Sequence, residues 1–140
     1  MEKLDIAHQE SIKALLAENS LTFHDLDFDT QTFFGHILKD KLVAIGAVEG
    51  FGEARLLRSL AVANGAKGKG LGKKLLKEIE GWSQEQQVKT LYLLTEDAKY
   101  FFARQGYQLQ NRTSVPKSIS NTKQFKLLCP ESAECMFKNL

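Results

Sequence analysis

Residues 55–87 restrict the architecture of this chain more than any other stretch. Leu56-Leu57-Arg58-Ser59-Leu60-Ala61-Val62 reads as a β-strand, and after a short polar connection Gly68, Gly70 and Gly72 recur at every second position. An amphipathic helix follows, with Leu71, Leu75, Ile79 and Trp82 on one face and Lys73, Lys77, Glu80 and Gln84 largely on others. Glycines at this spacing let the backbone turn tightly and leave N–H groups with no side chain in front of them. At a helix N-terminus such amides are unpaired and the macrodipole is positive, so the loop is suited to phosphate. Lys67, Lys69, Lys73, Lys74 and Lys77 crowd the same segment. The stretch therefore predicts a phosphorylated ligand.

The remaining elements can be placed around it. Ile12, Leu15 and Leu16 recur at helical spacing over 8–19, with Asp5 or a neighbour as cap. Residues 21–32, with Asp25, Asp27 and Asp29, form a short helix or a loop, a candidate wall for a substrate pocket; its acids either attract an amine or, on the simpler reading, cap a short helix and face water. The runs 33–38 and 42–48 flank Lys39-Asp40-Lys41 as a hairpin, and Phe51-Gly52 turns the chain into a third strand over 55–63. The nearly continuous apolar run 88–94 reads as a central strand parallel to it, reached by a right-handed crossover. A helix over 96–105 ends at Gly106, and a short strand follows over 107–109. Pro116 opens a final helix carrying Ile119, Phe125, Leu127 and Leu128, and 133–137 closes the sheet. The fold class is α/β (α+β): one domain over 1–140, with a mixed, mostly antiparallel sheet flanked by helices.

The totals narrow the function. A chain of 140 residues with 43% hydrophobic residues supports one domain with a real core. A formal charge of +2 gives no ground for nucleic acid, and no apolar run suits a membrane span or a secretory leader, so a soluble cytoplasmic protein is expected. Cys129 and Cys135 are too few for a disulfide framework, and neither they nor His8, His24 and His36 have metal-ligand spacing, so no metal is expected. A nucleotide P-loop requires a hydroxyl residue after Gly-Lys, whereas Gly72-Lys73 is followed by Lys74; a dinucleotide fingerprint requires Gly-x-Gly-x-x-Gly after the first strand of a doubly wound sheet. Neither pattern is present.

Val62-Ala63-Asn64-Gly65-Ala66-Lys67-Gly68-Lys69-Gly70-Leu71-Gly72 resembles the acetyl-CoA loop of the GNAT N-acetyltransferase superfamily, Gln/Arg-x-x-Gly-x-Gly/Ala, with Lys67 in the Gln/Arg position. Leu94-Thr95-Glu96-Asp97-Ala98 through Phe102-Ala103-Arg104-Gln105-Gly106-Tyr107 resembles the family's second cofactor element, and the element order agrees along nearly the whole chain. More narrowly, Leu56-Leu57-Arg58-Ser59-Leu60-Ala61-Val62, Leu94-Thr95, Phe101-Phe102, Val115-Pro116 and Leu128-Cys129-Pro130 together resemble arsenic-resistance N-acetyltransferases, and the Leu-Thr, Phe and Pro features also resemble the acetyltransferase domain of N-acetylglutamate synthases. That likeness implies transfer from acetyl-CoA to a small, amino-acid-like amine.

The resemblance also implies roles. The backbone of Leu60, Ala61 and Val62 would run beside the pantetheine arm where two central strands splay apart, and Lys67, Gly68, Lys69, Gly70, Leu71, Gly72 and Lys73 would hold the pyrophosphate. Thr95 and Phe102 would belong to the second cofactor element. Leu56 occupies the position where many relatives carry a Glu base, and Phe102 one where they often carry a Tyr acid, so the catalytic residues are unknown. Glu53, Glu96, Tyr92 and Tyr100 are the replacement candidates. Arg58 is charged within an apolar strand, where strand alternation puts it on the face of Leu56, Leu60 and Val62; it pairs either with a substrate carboxylate or with a core acid. Arg112 and Ser114 are further substrate-site candidates. Cys129 and Cys135 raise direct arsenic binding, a weaker reading than buried thiols. Two functions compete: an acetyltransferase, and an acyl-CoA-binding module that has lost catalysis. A homodimer through an exposed C-terminal strand is a further expectation.

Overall fold

The computed structural model describes every residue except 129, and the backbone but not the side chain of Leu128. Among the described residues, seven strands form one mixed sheet in the order β1-β2-β3-β4-β5-β7-β6. These are β1 (Glu2–Leu4), β2 (Gln31–Leu38), β3 (Lys41–Glu49), β4 (Ala54–Val62), β5 (Thr90–Thr95), β6 (Gln108–Leu109) and β7 (Glu134–Asn139). All neighbours are antiparallel except β4 and β5. The β4–β5 crossover runs through α2 (Leu71–Glu85), as the sequence pattern predicts. The short β1 has no counterpart among the sequence expectations.

Side chains alternate across β2 and β3, so each face of the sheet has its own core. On one face, Phe34, Ala44 and Val48 pack with Leu75, Leu76 and Ile79 of α2 and with Phe102 of α3 (Lys99–Arg104). On the other, Phe33, Ile45 and Ala47 meet Ile12, Leu15 and Leu16 of α1 (Gln9–Glu18). A one-turn helical segment, Ile6–His8, precedes α1; Asp5 caps it by accepting from Ala7 N at 2.9 Å. A third cluster, Leu56, Ile119, Phe125 and Cys135, closes the sheet beneath α4 (Lys117–Ser120).

Two expectations need correction, and one open alternative is decided. The final helix is not continuous: α4 stops after one turn and Gln124–Leu128 forms a separate wide turn, with Leu127 exposed. Thr122 interrupts it, donating to Ile119 O at 2.8 Å and accepting from Phe125 N at 3.3 Å, a local alternative to helical bonding. Of the two readings left open for the segment, residues 21–30 take the loop. The last strand is not an edge, because β7 lies between β5 and β6, which removes the ground for pairing subunits through it.

Candidate active site

The site begins with an interrupted ladder. β4 and β5 pair only at Ala54↔Thr90, Arg55↔Leu91 and Leu56↔Tyr92, although β4 continues to Val62 and β5 to Thr95. Beyond that point the strands diverge, and the facing edge of β4 has no ladder partner. The opening is a cavity of about 420 Å³ walled by Leu57–Val62 on one side and Leu93–Ala98 on the other. Phe101 and Phe102 close one flank, and Asn19, Ser20 and Leu21 another.

A β-bulge sets which side chains face which way. Ala47 pairs with Arg58 and Ile45 with Ala61, so Gly46 faces Ser59 and Leu60 together. Ser59 takes φ 60°, a left-handed conformation costly for a side chain without glycine's freedom. The extra residue inverts the alternation. Arg58 shares its face with Leu56, as the sequence suggests, but Leu60 and Val62 turn to the α2 side.

At one end the cavity meets the glycine loop. Gly68 (φ 81°) and Gly70 (φ 76°) have left-handed backbones, and a Cβ at either would meet nothing within 4 Å. Conformation rather than crowding therefore requires glycine there. Gly70 is the N-cap of α2 and offers no side-chain cap, and the first turn holds no acidic residue. The leading amides and the positive end of a 15-residue helix thus remain available. A hollow of about 210 Å³ over this terminus is lined by Lys67, Gly68, Gly70, Leu71, Gly72 and Lys73, and shares Val62, Lys67, Gly72 and Phe101 with the larger cavity. On the far wall, Thr95 accepts from Ala98 N at 3.0 Å and so fixes the turn into α3. Phe102, 7% exposed, packs edge-on against Phe101 and Tyr107 at 5.1 and 5.6 Å.

The opposite end is built differently. Arg58 donates to Asp25 Oδ2 and Oδ1 at 2.6 and 2.7 Å, to Glu49 Oε1 at 2.7 Å and to Ser59 Oγ at 3.2 Å. Its side chain is fully buried, so the internal ion pair, rather than a substrate carboxylate, is the observed partner. Asp25 is buried, not water-facing as the sequence suggests. Burial pushes its carboxyl pKa up, but the hydrogen bonds and charge of Arg58 outweigh this and hold it below the usual carboxylate value. Gln31 braces the group by donating to Asp25 O at 3.0 Å and Glu49 Oε1 at 3.3 Å.

Residues 29–109 match the family model described as an acetyltransferase (GNAT) domain, over half of the chain. The chain belongs to the GNAT acetyltransferase family. The curated relative N-alpha-acetyltransferase 80 of Mus musculus is 35% identical to this GNAT domain over 54 residues, which is 39% of the present chain. The match spans only 17% of that relative's length. A GNAT acetyltransferase from Staphylococcus aureus Mu50 superposes with TM-score 0.79 at 17% identity, covering 99% of this chain and 97% of the other. N-acetylglutamate synthase from Neisseria gonorrhoeae, solved with coenzyme A and L-arginine, gives TM-score 0.77 at 18% identity, covering 99% of this chain and 32% of that one. At such identities the likeness is one of fold.

The GNAT architecture separates the remaining candidates. Of the four proton-handling residues, only Glu96 lines the cavity, at its exposed rim. Glu53 is exposed at the start of β4, the end remote from the loop, and its carbonyl accepts from Lys89 N and Thr90 N. Tyr92 packs on Phe137 and the Leu56 cluster, and Tyr100 is 74% exposed on α3; neither lines the cavity. Arg112 donates to the carbonyls of Pro130 (2.7 Å) and Phe125 (3.3 Å), which makes it a clamp for the C-terminal segment; Ser114 is exposed beside it, and both lie outside the cavity lining. Cys135 is buried with its thiol pushed up to about 11 by burial, against the character a metalloid ligand needs, and it too is absent from the lining. The expectation for Cys129 falls outside the described residues.

Sequence reasoning missed two groups. Glu80, read as polar-face, is buried between Tyr107 and Lys138: Tyr107 donates to it at 2.8 Å and Lys138 at 3.1 Å, while burial and the Glu80 charge raise the Tyr107 pKa. Gln124, from the wide turn, reaches the cavity lining. Neither position carries a periodic or motif signal.

Proposed function

We propose that this chain is an acetyl-CoA-dependent N-acetyltransferase acting on a small amine in a ternary complex. The observation that carries the reading is continuity: the gap between β4 and β5 runs into the uncapped N-terminus of α2 beneath the glycine loop. An extended thiol-ended arm fits the gap, hydrogen-bonding the open edge at Leu60, Ala61 and Val62 as an added strand would. The pyrophosphate then sits over the amides of 68–73, with Lys67 and Lys69 adding charge. Thr95 and Phe102 wall the arm on the far side.

In the reaction, the neutral amine attacks the thioester carbonyl, an N–C bond forms and the C–S bond breaks. A backbone N–H of the open β4 edge stabilises the oxyanion, and positioning of the two substrates supplies much of the rate. The proton lost by nitrogen leaves through Glu96 or water, and the departing thiolate takes up a proton. Such an enzyme works where acetyl-CoA is available, in the cytoplasm. An arsenic-containing amino-acid analogue falls within the acceptor class as one compound to test.

Leu56 and Phe102, both apolar where relatives often carry proton-handling groups, favour a second reading as an acyl-CoA-binding module. Thiol release from acetyl-CoA, measured across amino acids, amino-acid amides, polyamines and the arsenic-containing analogue, separates the two. Acceptor-dependent release is expected. Tight CoA binding in calorimetry with no release from any acceptor would establish the module, and absence of CoA binding would refute both.

A further inference from the structure

The cavity lining holds two hydrogen-bonding groups, Ser59 and Gln124, to which the proposed cofactor placement assigns no role. Gln124 is 8% exposed and lines the cavity, yet its Oε1 finds no donor among the described residues. A buried carbonyl oxygen left unpaired is costly, so its persistence points to a partner outside the chain. Oε1 itself is enclosed as the side chain stands; the terminal torsion of glutamine is soft, and a rotation of the amide is what would bring Oε1 to the space its residue lines. Ser59 lines the same space; its Oγ accepts from Arg58 Nε at 3.2 Å, and among the described residues its own proton has no acceptor.

Together these groups present one O–H donor and one amide oxygen. Arg58 adds no free fork: four of its donations are already made to Asp25, Glu49 and Ser59. With Oε1 turned to the cavity a carboxylate would leave it without a donor, and in either orientation of the amide a carboxylate would approach two carboxylates bound to a single guanidinium. A carboxamide or peptide amide supplies both complements, a carbonyl for Ser59 and an N–H for Gln124. Resting on the acetyltransferase reading, we infer that Gln124 sets acceptor specificity and that the preferred acceptor is an amine bearing an amide group, such as an amino-acid amide or peptide, rather than a free amino acid.

The test uses the full chain with acetyl-CoA and L-alaninamide, L-alanine or spermidine. The wild type should favour L-alaninamide over L-alanine in kcat/KM by about tenfold or more, the scale of one unmet buried hydrogen bond. Gln124→Leu should remove most of that preference by raising the L-alaninamide KM, while acetyl-CoA KM stays within about twofold, because a site stripped of a polar contact loses discrimination rather than cofactor. Its thermal midpoint should not fall, since the change deletes an unpaired polar atom. An unchanged ratio in Gln124→Leu, or a wild type that prefers L-alanine or spermidine, would overturn the inference and leave acetyl transfer standing. A Gln124→Leu chain that no longer binds CoA in calorimetry would also overturn it, by showing the side chain to be structural. Failure of the wild type to bind CoA would bring down the acetyltransferase reading and the inference with it.

Discussion

The two ends of the β4/β5 gap solve opposite electrostatic problems. At the loop end, exposed lysines, backbone amides and a helix terminus, all from one contiguous stretch, stand open, as the proposed pyrophosphate site requires. At the other end the charge is already neutralised internally, by Arg58 held among Asp25, Glu49 and Ser59 from separate parts of the chain. An open site keeps its polar groups solvated until a ligand arrives; a buried one has to satisfy them from within the protein. Substitutions that keep the backbone conformation at the loop end should therefore change binding with little loss of stability, and those at the ion pair should do the reverse.

The strongest challenge to that contrast is Arg58→Leu. Leaving buried Asp25 and half-buried Glu49 without their cation should cost about 3–5 kcal/mol of stability, visible in urea unfolding. A stable variant with only the acceptor KM raised would show that Arg58 serves the substrate instead.

Next is Gly70→Val. Its left-handed backbone makes a β-branched residue costly by about 1–3 kcal/mol, and the added side chain enters the space over the helix terminus. CoA affinity in calorimetry should fall by about tenfold or more, on the scale of one lost anion contact. Unchanged affinity would remove the loop from the cofactor site.

Tyr107→Phe tests a buried group outside both ends, where the hydroxyl donates to buried Glu80. A loss of about 1.5–3 kcal/mol in stability is expected for a bond to a charged group, with CoA affinity little changed.

The acid limb of stability should carry the signature of Asp25. Its folded pKa lies below the unfolded value near 3.8, so the stability it contributes is present above that value and is lost as pH falls through the folded pKa. Urea midpoints followed downward from pH 5 should fall in that window, and Asp25→Asn should flatten this component. The smallest effect belongs to Lys67→Ala. A few-fold loss of CoA affinity is expected, shrinking further at high salt because the lysine is exposed. A salt-independent loss would mean that Lys67 acts by packing.

The legible parts of the fold were those written locally. The strand, loop and helix of 54–85, the β2/β3 hairpin, the crossover and the Gly106 turn follow from periodicity and glycine placement, and the two motif-bearing segments do face one cavity. The break at Thr122 was not legible, because a threonine that bonds its neighbours' backbone leaves the same apolar pattern as one inside a helix. Arg58 was half legible: its presence in an apolar strand signalled a buried partner, but the choice between substrate and core acid depended on where the 20–30 loop folds back.

What the sequence by itself determined is the element order and the chemistry of the loop end, since helix termini, tight turns and alternating strands depend on neighbours a few residues apart. Tertiary structure decided the rest. The bulge at Ser59 turned Leu60 and Val62 away from Arg58, β7 became an inner strand, and Asp25, Glu49, Ser59 and Gln124 were gathered around one end of a gap. Those outcomes depend on packing and on satisfying buried polar groups across long separations, which residue types in linear order do not specify.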